Sequence, residues 1–219
     1  MDEREPRDEQ SENHGERWRV FAAAPLNDNV RAVMQHAQNR LKANTWPVRW
    51  VDPRLGHITL RFYGDSDQQA VADIQRELAC IAARHDHMLL QTAGVGAFPS
   101  TSRARVLWLG LDGDVARLRS LARAINAAGS DEVSKDKRSF KPHVTLARLH
   151  NGALPLSDVA NAAAALDLPA VSLPIDRVQL IRSVLGPKGP TYTVINEWLL
   201  NETATVLAHA TASDPSEHT

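Results

Sequence analysis

Two short segments, residues 57–60 (HITL) and 143–146 (HVTL), are near copies of one another and constrain the fold more than any other feature of the chain. Successive side chains of a β-strand point to opposite faces, so each histidine shares a face with the threonine two residues later. The intervening apolar residues then point into a core. Side by side, two such strands would present two imidazoles and two hydroxyls to one cleft, which suits acid–base chemistry on a phosphate without a metal.

Composition predicts a folded protein rather than a disordered or membrane-bound one. The chain has 219 residues and is 43% hydrophobic, enough for one sizeable domain or two small lobes. The single cysteine, Cys80, excludes an internal disulfide, and its place in a helical apolar pattern predicts a core position. No apolar run reaches the roughly 18 residues that span a bilayer, and the acidic N-terminus is unlike a signal peptide. We therefore expect a cytoplasmic protein with no membrane partner.

Charge is distributed unevenly along the chain. Residues 1–16 hold seven acids against two arginines, and residues 201–219 hold three acids and no Lys or Arg. Both ends lack apolar periodicity, which predicts a disordered acidic tail over 1–16 and a disordered polar tail over 201–219. The segment 17–200 is then the folded domain, and it carries +7 although the whole chain carries −1. A basic domain suits an anionic substrate such as RNA, but a soluble surface with acidic tails explains the same charge.

Periodicity and turn residues predict alternating strands and helices in a mixed order. Short turns join several of the strands, which favours an α+β fold of largely antiparallel sheets over a doubly wound parallel sheet. Each motif strand follows a helix and a loop, which indicates a duplicated unit. Strands are predicted at 18–24, 46–51, 57–63, 88–92 (followed by a Gly-rich segment at 94–98), 104–111, 143–149, 176–183 and 192–199, helices at 28–42, 66–84, 114–128 and 157–166, and a polar, basic loop at 130–139.

The motif pair is more specific than either motif alone. Threonine is 11 of the 219 residues, so one accidental His-x-Thr among nine histidines is unremarkable. Two matches that also share the flanking apolar residues are far less common by chance. Two alternatives are a pair of structural histidines beside strand-forming threonines, and a zinc site, which lacks a third ligand at a recognisable spacing. The pair therefore favours catalytic residues at His57, Thr59, His143 and Thr145.

With the histidines 86 positions apart, the chain resembles the 2H phosphoesterase superfamily. It is most similar to the bacterial and archaeal RNA 2′,3′-cyclic phosphodiesterases, formerly described as 2′-5′ RNA ligases (the LigT type). This resemblance covers about 17–200 and implies a two-lobed α+β fold with pseudo-twofold antiparallel sheets, flanking helices and a central cleft. The stretches that carry it are 19–23 (RVFAA), 57–65 (HITLRFYGD), 105–110 (RVLWLG), 140–148 (FKPHVTLAR) and 191–192 (TY).

The resemblance also implies a mechanism that needs no cofactor. His57 would protonate the 3′-oxygen of a 2′,3′-cyclic phosphate and His143 would activate water, which leaves a 2′-phosphate. Thr59 and Thr145 would donate hydrogen bonds to the phosphate oxygens. Arg148, three residues past Thr145, would reach the phosphate only if a bend or bulge follows the motif, because a regular strand turns it to the opposite face. The predicted substrate contacts are Arg148, Arg61, Phe98, Tyr63, Lys141 and Arg105.

Other functions remain open at this point. The same site would serve 2′-5′ ligation, cleavage of 2′-5′ oligonucleotides or hydrolysis of a small cyclic nucleotide. A non-catalytic nucleotide- or RNA-binding module would keep the fold and bind without turnover. A structural or interaction protein would leave the matched motifs as coincidence. The expected partner is RNA or a nucleotide with a 2′,3′-cyclic phosphate, and the protein is expected to be a monomer.

Overall fold

The computed structural model describes residues 16–100, 104–128, 140–149, 156–187 and 189–202. Most of the two predicted tails and the whole predicted loop 130–139 lie outside these residues. At the C-terminal end, the backbone N–H of Asn201 donates to His85 and its carbonyl accepts from His87, at 2.8 Å each. The ordered chain therefore extends at least one residue past the predicted boundary at 200.

Two antiparallel sheets are formed by the nine strands of the described residues. Sheet A has the order β3-β1-β8-β9 and sheet B the order β2-β6-β5-β4-β7. The prediction of an α+β fold with antiparallel sheets is confirmed. The strands are β1 (Trp18–Pro25), β2 (Val48–Trp50), β3 (His57–Ser66), β4 (Met88–Phe98), β5 (Val106–Gly113), β6 (His143–Leu149), β7 (Ser172–Ile175), β8 (Arg177–Gly186) and β9 (Gly189–Leu199).

Four helices cover the outer faces of the sheets in the described part of the chain: α1 (Asp28–Lys42), α2 (Gln68–Ala82), α3 (Val115–Ala127) and α4 (Leu156–Ala164). The N-cap residues of α1 and α2 are Asn27 and Asp67. The Asn27 side chain accepts from the N–H of Val30 at 2.9 Å, and the Asp67 side chain accepts from the N–H of Ala70 at 2.8 Å. Each of these two helices buries an apolar stripe at helical spacing. None of the helices that the structure describes is long and apolar enough to cross a membrane.

The helices α1 and α3 are exchanged between the sheets. Helix α1 follows β1 of sheet A but packs on sheet B, where the Asn27 amide donates to the Ser172 carbonyl of β7 at 3.0 Å. Helix α3 follows β5 of sheet B but contacts β3 of sheet A. This exchange gives each sheet a helix from the other half of the chain, so the two lobes share one continuous core.

Two predictions about local structure are wrong. The Gly-rich segment 94–98 continues β4 because the Trp108 ring of β5 lies against Gly96, where any side chain would collide with it. Cys80 is exposed, since it lies beside the apolar stripe of α2 rather than within it. The strand predicted at 176–183 is present as β8, which pairs with β1 in sheet A, whereas β7, just before it, pairs with β4 in sheet B.

Candidate active site

His57 is the first residue of β3 and follows a 3₁₀ turn at Pro53–Leu55. Its Nδ1 lies 2.8 Å from the Leu55 carbonyl oxygen. A carbonyl oxygen only accepts, so Nδ1 carries the proton and Nε2 holds the free lone pair. The Thr59 hydroxyl donates to that Nε2 at 3.0 Å. The turn and the threonine thus determine both the ring orientation and the tautomer of His57.

His143 begins β6 in the same way. Its Nδ1 donates to the Lys141 carbonyl oxygen at 2.6 Å, again two residues earlier in the chain. The Phe98 ring of β4 lies edge-on to the imidazole, with ring centroids 4.9 Å apart. In the neutral form of His143, Nε2 is therefore also the nitrogen with the lone pair. Both motif histidines reach the site with the same tautomer.

The histidines come together where β3 and β6 meet across the boundary between the sheets. Burial lowers the pKa of both His57 and His143 below that of a free imidazole. The positive charge of Arg148 lowers both pKa values further, and a charged His143 lowers that of His57. The unliganded site therefore holds neutral imidazoles at neutral pH, which suits a general base. An anion in the cleft would offset Arg148 and favour protonation.

A β-bulge in β6 brings Arg148 to the histidine face. Along the β5–β6 pairing, Trp108 lies opposite Thr145 and Leu107 opposite Ala147, so Leu146 is an extra residue. The bulge reverses the alternation: Leu146 and Ala147 are both buried, and Arg148 is exposed on the face of His143 and Thr145. Arg148 thus reaches the histidine face through a bulge, the condition on which its predicted contact with the phosphate depends.

The same bulge occurs in β3. Ala23 of β1 lies opposite Thr59 and Ala22 opposite Arg61, which leaves Leu60 as the extra residue. Phe62 then lies on the histidine face, 53% exposed, with its ring centroid 5.6 Å from that of Phe21. Phe62 is not among the substrate contacts predicted from the sequence. Its position five residues after His57, matching Arg148 five residues after His143, is the signal that would have identified it.

Each bulge carbonyl accepts from a side-chain amide on one of the exchanged helices. Gln38 of α1, fully buried, donates to the Leu146 carbonyl of β6 at 3.0 Å and to Val51 at 2.6 Å. Asn126 of α3 donates to the Leu60 carbonyl of β3 at 3.3 Å. The Leu146 carbonyl also accepts from the backbone N–H of Val51 at 2.9 Å, so the Gln38 amide is a second donor to the same oxygen. The two bulges are thus stabilised from outside the sheets.

Two predicted substrate contacts are wrong. Arg61 follows the bulge residue Leu60 and is turned into the core, where its Nη1 donates to the carbonyls of Ile125 and Ala128 at the end of α3. Tyr63 is also buried, and the Arg61 guanidinium lies 4.6 Å from its ring centroid. Burial raises the pKa of Tyr63 far above that of a free phenol. Both side chains stabilise the join between β3 and α3 instead of facing the cleft.

The other predicted contacts have different positions. Phe98 lies at the site between His143 and Trp108, and the Lys141 ammonium lies 5.8 Å from the Phe98 ring centroid. Arg105 is exposed just before β5, and its contact with substrate stays a prediction. Tyr192 of β9, which the sequence analysis did not place at the site, lies edge-on to His57 at 5.5 Å between ring centroids. Within the described ranges, no three His, Cys, Asp or Glu side chains are grouped to hold a metal ion.

Comparison with known proteins identifies relatives over most of the chain. The model of the 2′-5′ RNA ligase superfamily matches residues 28–187. The RNA 2′,3′-cyclic phosphodiesterase of Aeropyrum pernix is 33% identical over 156 residues, which are 69% of this chain and 85% of that protein. The RNA 2′,3′-cyclic phosphodiesterase of Aquifex aeolicus is 28% identical over 155 residues, 69% of this chain and 81% of that protein.

Solved structures show the same architecture. A protein of Thermus thermophilus superposes with a TM-score of 0.70 at 28% identity, covering 84% of this chain and 98% of that one. Escherichia coli LigT complexed with 3′-AMP superposes with a TM-score of 0.64 at 24% identity, covering 86% of this chain and 100% of that one, and shares the fold. The resemblance predicted from the two motifs is confirmed: the chain belongs to the 2′-5′ RNA ligase superfamily.

Proposed function

We propose that this protein hydrolyses 2′,3′-cyclic phosphate ends of RNA to 2′-phosphates by metal-independent catalysis with two histidines. The observation that carries the proposal is the matched pair of Nδ1–H bonds to the Leu55 and Lys141 carbonyls. These bonds leave both Nε2 atoms for substrate, close to the cation of Arg148. The curated relatives from Aeropyrum pernix and Aquifex aeolicus, both RNA 2′,3′-cyclic phosphodiesterases, support the same reaction.

In the proposed reaction, neutral His143 takes a proton from water as the water oxygen attacks phosphorus. The bond from phosphorus to the ribose O3′ breaks, and protonated His57 delivers its proton to that oxygen. The product carries a 2′-phosphate and a 3′-hydroxyl, and solvent returns both histidines to their starting protonation states. The cyclic phosphate favours the protonated His57 because its negative charge opposes the burial and the Arg148 charge that lower the pKa of the free residue.

The assignment of acid to His57 and base to His143 follows the family resemblance. Burial and the Arg148 charge lower the pKa of both histidines, so the electrostatics of the site do not by themselves distinguish the acid from the base. The identity of the product distinguishes the two assignments. A 2′-phosphate means that O3′ leaves, as the resemblance implies, whereas a 3′-phosphate reverses the leaving group and with it the two roles.

Donors to the phosphate oxygens complete the site. Thr59 and Thr145 share the histidine face, and Thr59 exchanges its hydrogen bond to His57 for one to substrate. Arg148 offers a planar pair of donors to two phosphate oxygens. A donor aimed at developing charge typically contributes about 10²–10³ in rate. Phe62, exposed on the same face, offers a flat surface for the terminal base.

An EDTA-treated assay on an RNA oligonucleotide with a 2′,3′-cyclic phosphate end tests the proposal. We expect turnover to a 2′-phosphate, identified by chromatography against 2′- and 3′-phosphate standards. Binding without turnover would favour a non-catalytic RNA-binding module. A product joined to an added 5′-hydroxyl strand would favour 2′-5′ ligation, in which that hydroxyl takes the place of water. Turnover that EDTA abolishes would contradict the metal-independent mechanism.

We also propose that the active form is a cytoplasmic monomer. One chain supplies both motif strands, both threonines and Arg148, so the proposed site requires no residue from a second copy. Size-exclusion chromatography with light scattering at assay concentration tests this, and activity confined to a dimer fraction would contradict it. Cell fractionation tests the location.

A further inference from the structure

Arg49 lies opposite Arg148 in the structure. It is the middle residue of β2, the edge strand of sheet B, and its register partner on β6 is Arg148. Like charges directly opposite on neighbouring strands destabilise a sheet. In the part of the chain that the structure describes, neither guanidinium forms an ion pair or a hydrogen bond. Folding therefore leaves two adjacent cations unneutralised on the histidine face.

The Arg49 side chain reaches across the cleft to sheet A. Its Nη2 lies against Gly189, the first residue of β9, where a Cβ atom would collide with the guanidinium. Gly189 has φ +124°, a conformation that also favours glycine. From there β9 leads to Tyr192, which lies beside His57. Burial raises the pKa of Tyr192, and the nearby positive charge of Arg148 partly opposes that increase. Arg49 is thus on the rim of the same cleft, one strand further out than Arg148.

We propose that Arg49 binds a second phosphate of the substrate, the phosphodiester that joins the terminal nucleotide to its 5′ neighbour. This inference rests on the proposed function, in which Arg148 contacts the terminal cyclic phosphate. Neighbouring strands lie about 4.8 Å apart, and two long arginine side chains on one face can follow consecutive phosphates of a single RNA strand. Arg49 then makes the site prefer an RNA chain to a mononucleotide.

A purely structural role for Arg49 is the competing explanation. Its contact with Gly189 bridges sheets A and B, and this bridge would act on every substrate alike. A second-phosphate site acts only on substrates that have a second phosphate. The two explanations therefore differ in the ratio of kcat/KM for an RNA hexamer ending in a 2′,3′-cyclic phosphate to kcat/KM for cytidine 2′,3′-cyclic monophosphate.

The test compares Arg49→Met, which keeps the length of the side chain but not its charge, with Arg49→Lys and Arg40→Met. Arg40 is an exposed arginine of α1, on the opposite side of sheet B from the cleft. We expect Arg49→Met to lower the hexamer-to-mononucleotide ratio of kcat/KM about tenfold. The slope of log affinity for the hexamer against log salt concentration should decrease in magnitude by about one, the change expected for the loss of one phosphate contact. Arg49→Lys should retain the salt dependence, and Arg40→Met should change neither quantity.

An unchanged ratio in Arg49→Met, with both substrates affected alike or not at all, would overturn the proposal. If the wild-type protein turns over neither substrate, the proposed function fails, and the second-phosphate site is then judged by binding alone. Fluorescence anisotropy with a labelled hexamer ending in a 2′-phosphate gives that measurement. A hexamer affinity equal in Arg49→Met and Arg40→Met would contradict the site even then.

Discussion

The two motif strands, β3 and β6, are built alike up to the bulge and differ beyond it. Each has a histidine bonded to the carbonyl two residues earlier, a threonine two residues later and an extra leucine. Two positions past the bulge, β3 carries Phe62 and β6 carries Arg148. The pseudo-twofold relation therefore extends to the proposed acid–base pair but not to the groups that we propose hold substrate. Sheet A presents the aromatic ring of Phe62 at this position, and sheet B presents the guanidinium of Arg148.

The largest expected effect comes from removing either histidine. His57→Ala and His143→Ala should each lower kcat by about 10³ or more, because acid and base act in the same step and proton transfer by a positioned group contributes about 10²–10⁴. His36→Ala, an exposed histidine of α1, is the matched control. Near wild-type turnover in either motif variant, with folding verified by circular dichroism, would show that the two strands are not equivalent in chemistry.

The second prediction concerns the position two residues past each bulge, where β3 carries Phe62 and β6 carries Arg148. Arg148→Ala should lower kcat about 10²–10³, because its guanidinium meets charge that grows in the transition state. Phe62→Ala should mainly raise KM, by about tenfold, because stacking on a base holds substrate and transition state alike. Steady-state kinetics on the RNA hexamer give both parameters, and Phe62→Tyr retains the ring as a control. Equal losses of kcat in the two alanine variants would contradict this division of roles.

The third prediction concerns the amides that hold the bulges. Gln38→Met removes the side-chain donor to the Leu146 carbonyl and leaves only the Val51 N–H. It should lower kcat about tenfold, since displacing Arg148 by a fraction of an ångström weakens its contact with the transition state. Asn126→Leu removes the donor to Leu60 and should affect KM more than kcat, as for Phe62. The controls are Gln35→Met and Asn39→Leu on the exposed face of α1. Lower unfolding temperatures with intact kinetics would mean that the amides act on stability alone.

The smallest expected effect is the pH dependence of stability. The folded pKa values of His57 and His143 are lowered, so unfolded imidazoles bind protons at a higher pH than folded ones. The contribution of these residues to stability is complete above the unfolded value of about 6.5 and is lost as pH falls below it. The free energy of unfolding in urea should decrease from pH 7.5 to pH 5.5. This decrease should be smaller for the variant that carries both His57→Gln and His143→Gln than for wild type. An equal decrease would contradict the lowered pKa values.

Much of the site was predictable from residues 57–60 and 143–146, because alternation along a strand relates each histidine to its threonine whatever surrounds it. The same rule gave the wrong face for residues beyond the bulges. Arg61 was predicted to contact substrate, but one extra residue turns it into the core and brings Phe62 into the cleft instead. Regular alternation cannot anticipate a bulge, since a bulge depends on pairing with another strand.

The sequence by itself determined the antiparallel α+β class, the family and the two histidines of the proposed acid–base pair, because motif spacing and apolar periodicity are local properties of the chain. Only the tertiary structure decided which side chains accompany that pair. Strand register created the bulges, the exchanged helices α1 and α3 brought Gln38 and Asn126 to them, and the meeting of the two sheets set Arg49 beside Gly189. These are contacts between residues far apart along the chain, so local patterns carry no signal for them.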